Sequence, residues 1–199
     1  MLLIAHRINT VAQLAQVPTH CGVELDLRDR ADRLILQHDP FLDGEDFEDY
    51  LRHWRHRLMI LNIKSERIEP RVLELLRKHE ISNYFFLDSS FPMIRHLVKI
   101  GERRIAISFS EFEPIEAALA LAGQADWVWV DCFTRMPLDG RTYGLLRRHF
   151  KLCAVSPELQ GRPVETFADY ARQLAPFPLD AVCTKRPDLW QSARLRRAA

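Results

Sequence analysis

Eight times along this chain a short apolar run is followed by an amphipathic, helix-like segment. The apolar runs fall at residues 2–5, 23–27, 58–64, 84–87, 104–109, 127–131, 151–155 and 180–184. The first helix carries Val11, Leu14 and Ala15, and the others span 44–56, 68–79, 91–100, 114–122, 141–149, 164–174 and 187–196. Near-continuous apolar strands that alternate with helices predict a parallel sheet covered by helices. Eight such units in 199 residues predict one domain over 1–199, an α/β chain folded as a compact (β/α)8 TIM barrel. A doubly wound open sheet is the competing arrangement. One further apolar run, 34–37, follows the second strand too closely for a helix to intervene. It is expected to return as a hairpin arm inserted after that strand. Asp43 is expected to cap the helix over 44–56, with Phe47, Tyr50, Leu51 and Trp54 on its inner face.

The polar residues are placed unevenly in this pattern. His6, Arg7, Glu24, Asp26, Asn62, Lys64, Asp88, Asp131, Ser156, Glu158 and Lys185 fall at or just past the C-terminal ends of the strands. In a barrel those ends share one face, where active sites are built. Glu24 and Asp26 are two apart on a strand, so their carboxylates share a face. Two such groups repel unless a cation or a partner stands between them, and Mg²⁺ or Ca²⁺ takes oxygen ligands of this kind. A lone Glu-x-Asp is also the pattern of a salt-bridged face. The run that follows delivers His38 and Asp39, a candidate proton-transfer imidazole beside a carboxylate.

Charge and composition narrow the classes. The formal net charge is +1, from 28 basic and 27 acidic residues. That balance argues against a dedicated nucleic-acid or anionic-membrane surface. No apolar run approaches the roughly 20 residues that span a bilayer, and the start has no signal-peptide pattern. A cytoplasmic location is expected. Cys21, Cys132, Cys153 and Cys183 are scattered without a C-x-x-C pair and read as buried thiols.

The order His6-Arg7, Glu24-x-Asp26, His38-Asp39, Asn62-x-Lys64 resembles the glycerophosphodiester phosphodiesterase family, whose pattern is H-R-G, E-x-D, H-D, E-x-K. Its wider group includes phosphatidylinositol-specific phospholipase C. Residues 183–188, Cys-Thr-Lys-Arg-Pro-Asp, are similar to that family's closing segment. The resemblance implies a barrel hydrolase that cleaves a small phosphodiester with a divalent metal, Mg²⁺ or Ca²⁺. It implies that His6 and His38 form the general acid/base pair. Arg7 and Lys64 would bind the phosphate, and Glu24, Asp26 and Asn62 the metal. The roles suit the chemistry: proton transfers by imidazole, a bidentate guanidinium grip with an added ammonium charge, and a cation against charge on phosphoryl oxygens.

Two positions depart from the family pattern. Ile8 stands where the family has glycine, and Asn62 where it has a metal-binding glutamate. An amide oxygen ligates Mg²⁺ or Ca²⁺ without bringing charge. The further carboxylate is to be sought among Glu66, Asp88, Glu111, Glu113, Asp131 and Glu158. The alternative function is a non-catalytic or sugar-phosphate-binding barrel that retains the scaffold. The loop 156–163 reads as a connection or a substrate contact, Trp127 and Trp129 as packing, and the basic segment from Arg194 as a solvated helix end.

Overall fold

A computed structural model describes the backbone of residues 1–198 and the side chains of 1–192. The side chains of the basic segment from Arg194 therefore lie outside the described residues. The architecture is mixed α/β, and the chain divides into two compact units, 5–105 and 1–4 with 106–199.

β1 (Leu2–Ala5) opens the chain. In the unit 5–105, β2 (Gly22–Arg30) is flanked on one side by β5 (Met59–Ile63), which runs parallel to it and places Asp26 opposite Asn62. β6 (Tyr84–Leu87) continues the parallel ladder beyond β5. On the other side β3 (Arg33–Leu36) runs antiparallel to the last part of β2, with Leu27 opposite Leu36. β4 (Glu45–Asp46) then pairs antiparallel with β3. Val23, Leu25, Met59, Ile60 and Leu61 are fully buried, as strands covered on both faces require.

The helices of this unit are α1 (Val11–Leu14), α2 (Phe47–Leu51), α3 (Glu69–Lys78) and α4 (Phe91–Lys99). Thr10 caps α1 in a capping box with Gln13, and Ser90 caps α4. Pro70 and Pro92 sit in first turns, where no intrahelical N–H is lost. α3 buries Val72, Leu73 and Leu76 along one stripe.

The expected helix over 44–56 is corrected. Glu45 and Asp46 are strand, and Asp46, not Asp43, caps a helix of only Phe47–Leu51. The cause is a close crossing at Gly44, where a Cβ would stand 2.2 Å from the Leu36 carbonyl oxygen. That contact and the pairing of Glu45 with Leu36 hold the chain extended until residue 46. Trp54 falls beyond the helix, in turns closed by the N–H groups of His53 and Trp54.

In the unit 1–4 with 106–199, β7 (Ala106–Phe109), β8 (Trp127–Val130), β9 (Lys151–Val155) and β10 (Ala181–Thr184) form a parallel ladder. The Leu2 N–H donates to the Asp180 carbonyl at 2.7 Å, so the start of β1 lies beside β10. α5 (Ile115–Leu119), α6 (Gly140–Arg147), α7 (Phe167–Leu174) and α8 (Pro187–Ala198) follow those strands. Trp127 and Trp129 are buried in the packing. All four cysteines are buried free thiols. Among the described residues no helix is long and apolar enough to cross a membrane.

Candidate active site

The unit 5–105 gathers most of the expected site residues. β2 presents Glu24, Asp26 and Arg28 at i, i+2 and i+4, on one face of the strand. Glu24 and Asp26 are each only 1% exposed. The segment 6–9, just past β1, lies along them. The Arg7 N–H donates to Glu24 Oε2 at 2.7 Å, and the Ile8 N–H donates to the Glu24 carbonyl at 2.9 Å. Asn9 closes a two-way bond with Asp26: its Nδ2 donates to Oδ2 and its Oδ1 accepts from the Asp26 N–H, each at 2.9 Å. His6 Nε2 stands 3.6 Å from Glu24 Oε2.

This geometry explains Ile8. The left-handed residue after β1 is Arg7, with φ 55, and Ile8 is not among the positive-φ residues. A side chain is therefore tolerated at position 8, whose carbonyl accepts from the buried Tyr50 hydroxyl at 2.9 Å. Asp88 just past β6 also has a positive φ, 60. Non-glycine residues persist there only when their surroundings over-determine them, a condition that concentrates at functional sites.

Two cations face the carboxylates. Arg7 Nε is 3.6 Å from Asp26 Oδ2, and Lys64 Nζ is 3.9 Å from Asp26 Oδ1. Lys64 Nζ is nearer Asp88 Oδ2, at 3.1 Å. Asn62 donates through Nδ2 to Glu24 Oε1 at 2.9 Å, and its buried Oδ1 has no hydrogen-bond partner. Burial pushes the Glu24 carboxyl up to about 7, and the Asp26 charge adds to the rise. The Asn62 amide, the Arg7 N–H and Lys64 pull it back in part.

His38 lies just past β3. Its Nδ1 is 2.8 Å from Asp39 Oδ1, and the ring is about one-third exposed. The hydrogen bond from His38 holds the Asp39 carboxyl below its ordinary range. Arg28 ties this segment to the strand carrying Lys64. Its Nε and Nη2 donate to the His38 carbonyl at 3.1 and 2.8 Å, and its Nη1 to the Lys64 carbonyl at 2.9 Å. Arg28 and Asn9 lie outside the motif pattern read from the sequence. The i, i+2, i+4 spacing of Glu24, Asp26 and Arg28 is a signal for the first; nothing local marks the second as a partner of Asp26.

The carboxylates considered as a further ligand are held in different ways. Asp88 enters the site through Lys64, and Glu66 accepts from Ser90 Oγ. In the other unit, Glu158 accepts from Ser156 Oγ, Thr184 Oγ1 and the Lys185 N–H. Glu113 accepts from Ser110, Asp131 from Gln160, and Glu111 from the backbone at 133–135.

Among the described residues, no three His, Cys, Asp or Glu side chains converge as a metal site. The set that fits a hard divalent cation is Glu24, Asp26 and the Asn62 amide oxygen. They share one face of adjacent strands, that oxygen is buried without a donor, and burial together with the Asp26 charge disfavours the ionised form of Glu24.

No family model and no curated protein sequence matches the chain. Among solved structures, it is similar to a glycerophosphodiester phosphodiesterase from Agrobacterium tumefaciens, with a TM-score of 0.72 and 19% identity over 97% of this chain and 98% of that one. The chain shares that enzyme's fold. It is similar also to a glycerophosphoryl diester phosphodiesterase from Parabacteroides distasonis, with a TM-score of 0.67 and 14% identity over 96% of this chain and 85% of that one. The family resemblance read from a few short motifs thus extends, as fold, over nearly the whole chain.

Proposed function

We propose that the chain is a phosphodiester hydrolase of the glycerophosphodiester phosphodiesterase type, acting on a small phosphodiester. The reading takes the shared fold as a (β/α)8 barrel with the β2–β3 hairpin as its insertion. The observation that carries it is the convergence of two buried carboxylates, two cations and His6 on the strand ends of one unit, with the His38–Asp39 pair tied to the Lys64 strand by Arg28.

Arg7 and Lys64 bind the phosphate, the guanidinium by paired N–H donors and the ammonium as a point charge. Asp26 and Asp88 hold Lys64 in place. His6 and His38 form the acid/base pair that removes a proton from the nucleophile and returns one to the leaving oxygen. Asp39 holds His38 Nδ1, so Nε2 is the atom that exchanges the proton. Glu24 supports His6 Nε2 and the Arg7 N–H. Glu24, Asp26 and Asn62 Oδ1 would hold Mg²⁺ or Ca²⁺. Bound there, the ion supplies Lewis-acid stabilisation of charge on the phosphoryl oxygens.

The test is hydrolysis of a glycerophosphodiester by the wild type, His6→Ala and His38→Ala, with divalent ions present. The reading expects turnover in the wild type and a fall of about 100-fold or more in each folded variant. Equal turnover in all three would defeat the assigned roles. The Asn62 Nδ2 bond to Glu24 favours one other reading, a phosphate-binding scaffold without catalysis. Phosphoester binding that persists in excess chelator, with no cleavage, would select it.

A further inference from the structure

Residues 6–10 join β1 to α1 and carry His6 and Arg7. Every backbone N–H from Arg7 to Val11 has an acceptor. Arg7 and Ile8 donate to Glu24, Asn9 and Thr10 donate to Gln13 Oε1 at 2.9 and 3.2 Å, and Val11 donates to Glu45 Oε2 at 2.7 Å. The Ile8 carbonyl accepts from the Tyr50 hydroxyl at 2.9 Å. Glu24 reaches this segment from β2, and Gln13 from α1 itself. Glu45 and Tyr50 reach it from β4 and α2.

That second pair ties the segment to the other histidine of the proposed site. Glu45 stands opposite Leu36 in the β3–β4 ladder, and His38 lies two residues past Leu36. The Gln37 N–H between them donates to the Asp26 carbonyl at 3.0 Å. One small antiparallel element thus bears on both histidines. β3 delivers His38, while β4 and α2 brace the backbone that follows His6. Tyr50 is fully buried. Burial and the Glu45 and Glu24 charges push its hydroxyl well above the ordinary range, so it stays a donor. Arg7 holds φ 55, a left-handed backbone that persists in a non-glycine residue only where the surroundings over-determine it. Tyr50 and Glu45 fix the chain one and four residues beyond Arg7.

We propose that Tyr50 and Glu45 are positioning residues that set the His6–Arg7 segment against His38. The proposal rests on the phosphodiesterase reading of that site and names what holds its two halves in register. An acid and a base that serve one phosphoryl group must keep a fixed separation, and a misplacement of about 1 Å is enough to cost rate. Both residues act on backbone groups, and the element that supplies them also carries His38, so the two positions are linked directly.

The test measures kcat and KM for a glycerophosphodiester, melting temperature and amide hydrogen exchange in the wild type, Tyr50→Phe, Glu45→Ala and Glu45→Gln. Tyr50→Phe and Glu45→Ala are each expected to lower kcat about 10-fold well below the melting temperature, with KM changed by less than about 3-fold. The long Arg7 side chain follows a shifted backbone to the phosphate more readily than the His6 ring does. Glu45→Gln keeps an oxygen acceptor for the Val11 N–H and should recover most of kcat. Unchanged kcat in both Tyr50→Phe and Glu45→Ala overturns the proposal, whatever happens to melting, and assigns these contacts to stability alone. A loss in Glu45→Gln equal to that in Glu45→Ala overturns the role of Glu45 as an acceptor. If the wild type cleaves nothing, the phosphodiesterase reading fails and the brace is judged by exchange. Arg7 and Ile8 amides that exchange at least about 10-fold faster in Tyr50→Phe, with those of β6 unaltered, sustain it, and equal exchange overturns it.

Discussion

Two glutamates near strand ends, one in each unit, have opposite chemistry. Glu111 lies just past β7 and accepts from the N–H groups of Phe133, Thr134 and Arg135 and from the Thr134 hydroxyl. Burial pushes its carboxyl up, but these donors outweigh burial and hold it at about 2. Glu24 accepts from one backbone N–H and one side-chain amide, lies against Asp26, and is pushed up to about 7. A carboxylate saturated with donors pins two loops together. A buried carboxylate with few donors and crowded by a like charge is the arrangement on which the proposed site rests, because a bound cation would relieve both.

The largest effect that sharpens this comparison is on stability. In metal-free protein Glu24 binds its proton more tightly folded, at about 7, than unfolded, at 4.5. Its contribution is fully present below pH 4.5 and is lost as pH rises through about 7. The loss is about 3 kcal/mol, at 1.36 kcal/mol per pH unit. Urea unfolding at pH 5 and pH 8 should show this fall in the wild type and much less of it in Glu24→Gln. The same slope in both proteins would mean that Glu24 is not the titrating group.

Activity should separate the two glutamates next. Glu24→Ala removes the support of His6 and Arg7 and is expected to lower kcat/KM about 100-fold, or about 2.7 kcal/mol. Glu111→Gln should stay within a few-fold. Comparable losses in both would erase the distinction between site and pin.

Glu111→Gln should instead act on stability, in the opposite pH sense. The stability that Glu111 contributes is present above pH 4.5 and lost as pH falls through about 2. The variant is expected to be about 1 kcal/mol less stable at pH 7, a solvent-screened value, with the difference shrinking by pH 2.5. Thermal melts at the two pH values measure it.

The smallest expected effect is at Arg28. Arg28→Lys keeps the charge but loses the planar fork whose Nε and Nη2 hold the His38 carbonyl while Nη1 holds the Lys64 carbonyl. A loss of a few-fold in kcat/KM with little change in melting temperature is expected. Full activity would show that the bridge between those segments is dispensable.

The sequence makes the strands legible because they are covered on both faces, so apolar runs such as 84–87 and 151–155 match the observed bounds. Helices α3 and α4 are legible from an apolar stripe that starts at proline or a capping serine. The helix over 44–56 misleads for a tertiary reason. Asp43-Gly44 has the local look of a cap, yet Gly44 is needed for its approach to Leu36, a contact no local pattern reveals. At the site, Glu24, Asp26 and Lys64 show in the spacing because strand periodicity exposes them. The Asn9–Asp26 pair joins residues 17 apart, and the Lys64–Asp88 pair residues 24 apart; both are set by how strand ends meet.

The most direct test of the central proposal, that the Glu24–Asp26 face binds a divalent cation, is calorimetric titration of metal-stripped protein near pH 7 with Mg²⁺, Ca²⁺ and Mn²⁺. Binding of one ion per chain is expected, with proton release because Glu24 titrates near that pH, and loss of both in a Glu24→Ala/Asp26→Ala variant that remains folded. No binding heat from any of the three ions, or identical binding to the variant, would contradict the claim.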